Sequence, residues 1–151
     1  MIVRSEREEL PDNRGERKEP LMAIEVLLVD DDPDLAIMLR TLLRGQDIQI
    51  KAVYCGEDGI RACQNGTPDV LILDLLMPEM DGWEVCRRIR DFSDVPILIL
   101  SALGSPGSVA KALDAGADDY LIKPVHASLL ASRLRTLVRR RALGEQKEQA
   151  A

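Results

Sequence analysis

From Ala23 onward, short apolar runs built largely from Val, Ile and Leu alternate with longer stretches in which apolar residues recur every three or four positions. The first pattern reads as buried strands and the second as amphipathic helices; their alternation implies βαβ units around a parallel sheet. Strands are predicted at residues 24–29, 48–53, 69–73, 96–100 and 118–122. The first predicted helix runs from Pro33 to about Arg44, with Leu35, Met38, Leu39, Leu42 and Leu43 on one stripe and Gly45 as its stop signal. Further helices are predicted at 57–65, ended by Gly66, at 82–91, and at 106–115, ended by Gly116. The last runs from His126 to about Arg141 and carries Leu129, Leu130, Leu134, Leu137 and Val138 at helical spacing. Right-handed crossovers then give an α/β fold, a doubly wound five-stranded parallel sheet with helices on both faces. Ligands in such a sheet bind beyond the C-terminal strand ends.

Outside this pattern, residues 1–22 mix charges of both signs with Pro11, Asn13, Gly15 and Pro20 and show no periodicity, so a disordered N-terminal arm is expected. The folded domain is expected over residues 23–141, followed by a polar C-terminal tail or the start of a linker at 142–151.

The predicted strand ends carry the chemistry. Asp30, Asp31 and Asp32 follow the first strand, Asp74 the third, Ser101 the fourth, and Lys123-Pro124 the fifth. If the strands take the flavodoxin-like order 2-1-3-4-5, at least three carboxylates meet on one edge with a lysine beside them. Like charges so close need a cation, and oxygen-only ligands favour Mg²⁺, with Mn²⁺ an acceptable substitute, over zinc. Mg²⁺ held by few carboxylates is commonly completed by phosphate oxygens, which makes phosphoryl transfer the leading reaction class. A carboxylate nucleophile is a known mode of covalent catalysis.

Composition narrows the alternatives. The net charge is -6 over 151 residues, and the aromatics are only Phe92, Trp83, Tyr54 and Tyr120. Bulk attraction to nucleic acid or anionic membrane and base stacking are therefore disfavoured, and no direct nucleic-acid binding is expected. No apolar run approaches the roughly 20 residues of a membrane span, and no signal-peptide pattern precedes the domain; a cytoplasmic protein is expected. Cys55, Cys63 and Cys86 lack CxxC or Cys/His spacing, so free thiols are expected rather than a disulfide or zinc site.

Four runs, VLLVDDDP (26–33), VLILDLLMPEMDG (70–82), VPILILSAL (95–103) and AGADDYLIKP (115–124), together resemble the receiver domains of two-component response regulators over about residues 23–141. The resemblance implies that Asp74 accepts a phosphoryl group from a histidine kinase or phosphotransfer protein. It also implies metal binding by Asp31 directly, by Asp30 through water, and by Asp74 and the Leu76 backbone carbonyl. Lys123 would contact the phosphoryl group and Ser101 would hydrogen-bond it, with Tyr120 as the aromatic switch that turns inward when Ser101 moves. Such a chain is a signalling phosphoacceptor, not an enzyme acting on other substrates, and Lys123-Pro124 is expected to be cis.

Other motifs take plainer readings. Asp32 before Pro33 and Asp81 before Gly82 read as helix N-caps, and Ser105 as a cap for Pro106. His126 is expected on the surface; Met38, Met77, Met80 and Trp83 are expected in core and turn packing. Arg139, Arg140 and Arg141 suit the last helix's C-terminus better than DNA. Leu76 and Leu103, two positions after Asp74 and Ser101, cannot orient a water, which suggests a long-lived phosphorylated state.

Spacing in the last third resembles OmpR/PhoB-type receivers, which dimerise through their fourth helix, fifth strand and fifth helix. Asp119 and Arg133 align with an interchain salt bridge there, while Val109 and Leu129 replace both halves of another charged pair. An apolar contact in place of that pair leaves no charge unpaired. Two alternatives stand beside the receiver reading: a degenerate module of the same fold that works without phosphate, which the intact acidic set disfavours, and an aspartyl phosphatase, which would need a cap domain.

Overall fold

A computed structural model of the protein describes residues 23–149. In chain order the elements are β1 (Ile24–Val29), α1 (Pro33–Leu42), β2 (Ile48–Val53), α2 (Gly56–Asn65), β3 (Val70–Leu73), α3 (Gly82–Arg90), β4 (Ile97–Ser101), α4 (Pro106–Asp114), β5 (Asp119–Ile122) and α5 (Ala127–Gln149). All strand pairings are parallel and the sheet order is β2-β1-β3-β4-β5, the flavodoxin-like order the sequence predicts.

Side chains on a strand alternate between faces, so each central strand feeds two cores. Leu27 and Val29, Leu71 and Leu73, and Ile97 and Ile99 pack on one face with Ile60 of α2 and Val85 and Ile89 of α3. Val26 and Leu28, Val70 and Ile72, and Leu98 and Leu100 pack on the other with Leu35 and Leu39 of α1 and Leu130 and Leu134 of α5. Burial on both faces explains the continuous apolar runs of β3 and β4.

Local signals set the helix starts. Asp32 accepts the Asp34 amide with Pro33 first in α1, Asp81 accepts the Glu84 amide, and Ser105 accepts the Ser108 amide ahead of Pro106. Most element ends lie within a residue or two of the predicted ones, the usual variation at frayed ends. Two expectations need correction. Helix α5 runs on to Gln149 instead of ending near Arg141. Arg141 explains this: it donates to the Pro68 carbonyl at 3.5 Å and to Asp94 at 3.3 Å, and pairs with Glu145 one turn on at 3.4 Å. Gly144 costs such a helix only about 1 kcal/mol. Secondly, Met38 is exposed rather than packed, as is Leu42, because the buried stripe of α1 runs through Leu35, Ala36 and Leu39. Helix α1 ends at Leu42, within that variation of the predicted end near Arg44, and Gly45 takes a positive φ of 79° just beyond. The expected arm at residues 1–22 lies outside the described residues.

One glycine sets the position of the β3 end. Gly82 donates its amide to the Leu75 carbonyl at 2.9 Å, and a Cβ on it would stand 2.1 Å from the Asp74 carbonyl oxygen. Backbone this close leaves no room for a side chain. Gly82→Ala is expected to cost about 2 kcal/mol or more in urea unfolding. Gly107→Ala on α4, where a Cβ meets nothing within 4 Å, is expected to be neutral or to stabilise by about 0.5 kcal/mol. Equal midpoints for the two variants would contradict the close-approach argument.

Candidate functional site

Sheet register brings the chemistry together. Val29 is level with Leu73, and the Asp74 amide donates to the Val29 carbonyl at 3.0 Å, so Asp30 and Asp74 leave adjacent strands side by side. On the other flank Ser101 is level with Ile122, and the Lys123 amide donates to the Ser101 carbonyl at 2.8 Å. Residues 93 positions apart in sequence thereby meet: Lys123 Nζ donates to Asp30 Oδ2 at 2.9 Å and lies 3.8 Å from Asp74 Oδ2.

The site is largely withdrawn from solvent. Asp30 is 2 % exposed, Asp74 7 % and Ser101 fully buried, while Asp31 is open to solvent and Lys123 half-buried. Burial first, then the neighbouring Asp30 carboxylate, raises the Asp74 carboxyl above its ordinary range; the Lys123 ammonium and the Leu75 and Leu76 amides pull it back. The Leu75 amide donates to Asp74 Oδ1 at 2.9 Å, and Asp30 Oδ1 accepts the Asp32 amide at 2.9 Å. Both carboxylates are thus oriented by backbone as well as by the lysine.

The donor set fits a hard divalent cation. One carboxylate oxygen from each of Asp30, Asp31 and Asp74 lies within 4.8 Å of the others, with no sulfur or imidazole among them. Asp32, the predicted cap, is outside this cluster.

Around the cluster, Ser101 Oγ accepts the Leu103 amide at 3.2 Å. Tyr120 is half-buried, and its hydroxyl donates to the Leu103 carbonyl. Burial raises its phenol pKa above the ordinary value. Leu76 is 54 % exposed, and Leu103 packs partly on the core. The Lys123-Pro124 bond is cis and His126 is exposed, as expected. Cys63 and Cys86 are buried free thiols whose pKa burial pushes up to about 11.

Two site features escape sequence reading. The close approach of Gly82 beneath Asp74 was legible only as a turn before a helix, and the Lys123–Asp30 pair only as proximity. On the expected dimer face, Arg133 Nη1 lies 3.2 Å from Asp119 Oδ2 within one chain.

Known proteins resemble this chain in sequence and in fold. The chain is 38% identical over 115 residues to the transcriptional regulatory protein AfsQ1 of Streptomyces coelicolor, covering 76% of this chain and 51% of that one. It thus spans about half the length of the curated relatives it matches. The receiver domain of a LuxO-type repressor protein from Vibrio parahaemolyticus superposes with a TM-score of 0.76 at 31% identity, covering 82% of this chain and 96% of that one. The receiver domain of a Pseudomonas aeruginosa sensor histidine kinase, solved with magnesium coordinated in its active-site cleft, gives 0.71 at 29% identity, covering 77% and 98%. The response regulator receiver domain model matches residues 26–135, well over half the sequence, and by that match the chain belongs to the response regulator receiver domain family.

Proposed function

We propose that this chain takes a phosphoryl group onto Asp74 from the phosphohistidine of a kinase or phosphotransfer protein and passes the change on through α4, β5 and α5. The observation that carries this reading is the Asp30, Asp31 and Asp74 cluster with Lys123 reaching into it. In the transfer, an Asp74 carboxylate oxygen bonds to phosphorus as the donor's P–N bond breaks, the electron pair leaving with the imidazole. Asp31, Asp30 through water, Asp74 and the Leu76 carbonyl would hold Mg²⁺ or Mn²⁺, which supplies charge neutralisation for the phosphoryl oxygens. Lys123 offers its ammonium to the same oxygens. Ser101 then hydrogen-bonds the attached group, and Tyr120 fills the space its movement leaves. A cytoplasmic location fits the kinase partner, and among the described residues no helix is long and apolar enough to cross a membrane.

One relative is a DNA-binding response regulator. In our reading DNA contact is not made by this receiver fold, whose surface offers acidic excess and scattered aromatics.

The α4-β5-α5 face is read as a phosphorylation-dependent homodimer contact. Leu113, Ile122 and Leu129 are exposed there beside half-buried Val109, an apolar patch flanked by the Asp119–Arg133 pair. Because that pair closes within one chain, a dimer that uses it across the interface must exchange partners.

Three outcomes test the reading. With Mg²⁺ and acetyl phosphate, intact mass should show one added phosphoryl group that Asp74→Asn lacks while keeping its urea midpoint; labelling of the variant would overturn the assignment. The phosphoryl group on the wild type is expected to decay slowly, and Leu76→Asn, which supplies a water-holding amide at an exposed position, to shorten its lifetime roughly tenfold; a decay as fast as that of quickly resetting chemotaxis receivers would contradict this. Leu129→Arg should leave Asp74 phosphorylation intact and abolish the phosphorylated dimer in light scattering, and an unchanged dimer would refute the face.

A further inference from the structure

We infer that Lys111 and Trp83 form a latch that fixes α4 against α3 and so sets how readily the Ser101–Tyr120 switch engages. The inference rests on the phosphoacceptor reading of Asp74.

Helix α4 is weakly anchored. Its sole buried residue is Ala112, against three in α1 and four each in α2 and α3. The segment that feeds it, Gly104-Ser105-Pro106-Gly107, is exposed throughout. A helix with so little burial sits at the low-stability end of the fold, where a single added contact shifts its position measurably.

Helix α4 meets both α3 and β5, and the side-chain hydrogen bonds around its C-terminal end come from α3. At its C-terminal end, Cys86 Sγ donates to the Ala115 carbonyl at 3.3 Å, and Arg90 Nε donates to the Gly116 carbonyl at 2.9 Å. One turn before Cys86 stands Trp83, and over its ring lies Lys111 Nζ, 4.1 Å from the centroid. The residues just beyond α4 are therefore hydrogen-bonded to α3, and Lys111, in the last turn of α4, adds a cation on an aromatic face beside them. Of these contacts, the cation on the ring is the one that removing the Lys111 charge abolishes.

Trp83 is suited to the task. It is the chain's single tryptophan, half-buried on the same apolar cluster that receives Leu103 and Tyr120. Its Nε1 is buried without a hydrogen-bond acceptor, so packing and the cation above hold the indole. Leu103 opens the segment leading into α4, and its carbonyl accepts the Tyr120 hydroxyl. The Tyr120–Leu103 bond and the Lys111–Trp83 contact thus occur in one arrangement, at opposite ends of the Leu103-to-Lys111 stretch. Lys111 touches no reacting group; it is a positioning residue.

The test titrates beryllofluoride with Mg²⁺ into wild type, Lys111→Met and Lys111→Arg, reading Trp83 emission, with acrylamide quenching measured beforehand. Met keeps the aliphatic stem without the charge, and Arg keeps a cation. Lys111→Met should bind beryllofluoride about two- to fivefold more weakly, the range a half-exposed cation–aromatic contact supports. Its Trp83 should be more open to acrylamide at an unchanged urea midpoint, and Lys111→Arg should restore both properties. Wild-type affinity and quenching in Lys111→Met would overturn the latch. Failure of the wild type to bind beryllofluoride would instead refute the phosphoacceptor reading, and the acrylamide comparison would still decide whether Lys111 holds α4.

Discussion

Two carboxylates withdrawn from water share one ammonium group, and the functional end of the molecule is arranged around that constraint. Asp30 and Asp74 repel each other at close range, and Lys123 answers only part of their charge. With Asp31 added, three acids face one lysine. Asp31 is open to solvent, so the charge held out of water is that of Asp30 and Asp74, and a buried charge without a partner is costly. That excess of carboxylate oxygens is the donor set a hard divalent ion favours.

The charges are held by backbone ladders rather than by long side chains. Asp74 follows a strand whose next amide still bonds to β1, and Lys123 one whose amide still bonds to β4. Strand register therefore fixes where each charge emerges. The Gly82 contact presses the start of α3 against the Asp74 carbonyl, and the Leu75 amide turns the carboxylate. Preorganisation of this kind costs nothing at the moment of reaction. Beside the site, the Leu103 amide donates to Ser101 and the Leu103 carbonyl accepts the Tyr120 hydroxyl, just ahead of α4, the least buried of the first four helices.

Much of this was legible in the sequence because few alternatives satisfy it. Continuous apolar runs such as 70–73 and 97–100 fit only strands covered on both faces, and Asp32-Pro33 and Ser105-Pro106 mark helix starts by local hydrogen bonding alone. The strand-end acids followed from the topology rule. What stayed hidden depends on contacts between elements. No periodicity reveals that Arg141 reaches Pro68 and Asp94 and so carries α5 on to Gln149. Nor does spacing show Met38 turned outward, Lys111 over Trp83, or Asp119 paired with Arg133 in its own chain.

The account stands on the shared cation, and Mg²⁺ titration calorimetry addresses it without any phosphoryl donor. Wild-type protein is expected to take up one Mg²⁺ per chain, and Asp31→Asn, altered at an exposed position, to lose that uptake while keeping its unfolding midpoint. Mg²⁺ uptake unchanged in Asp31→Asn, or none in the wild type, would contradict the convergence of the three carboxylates on a single ion.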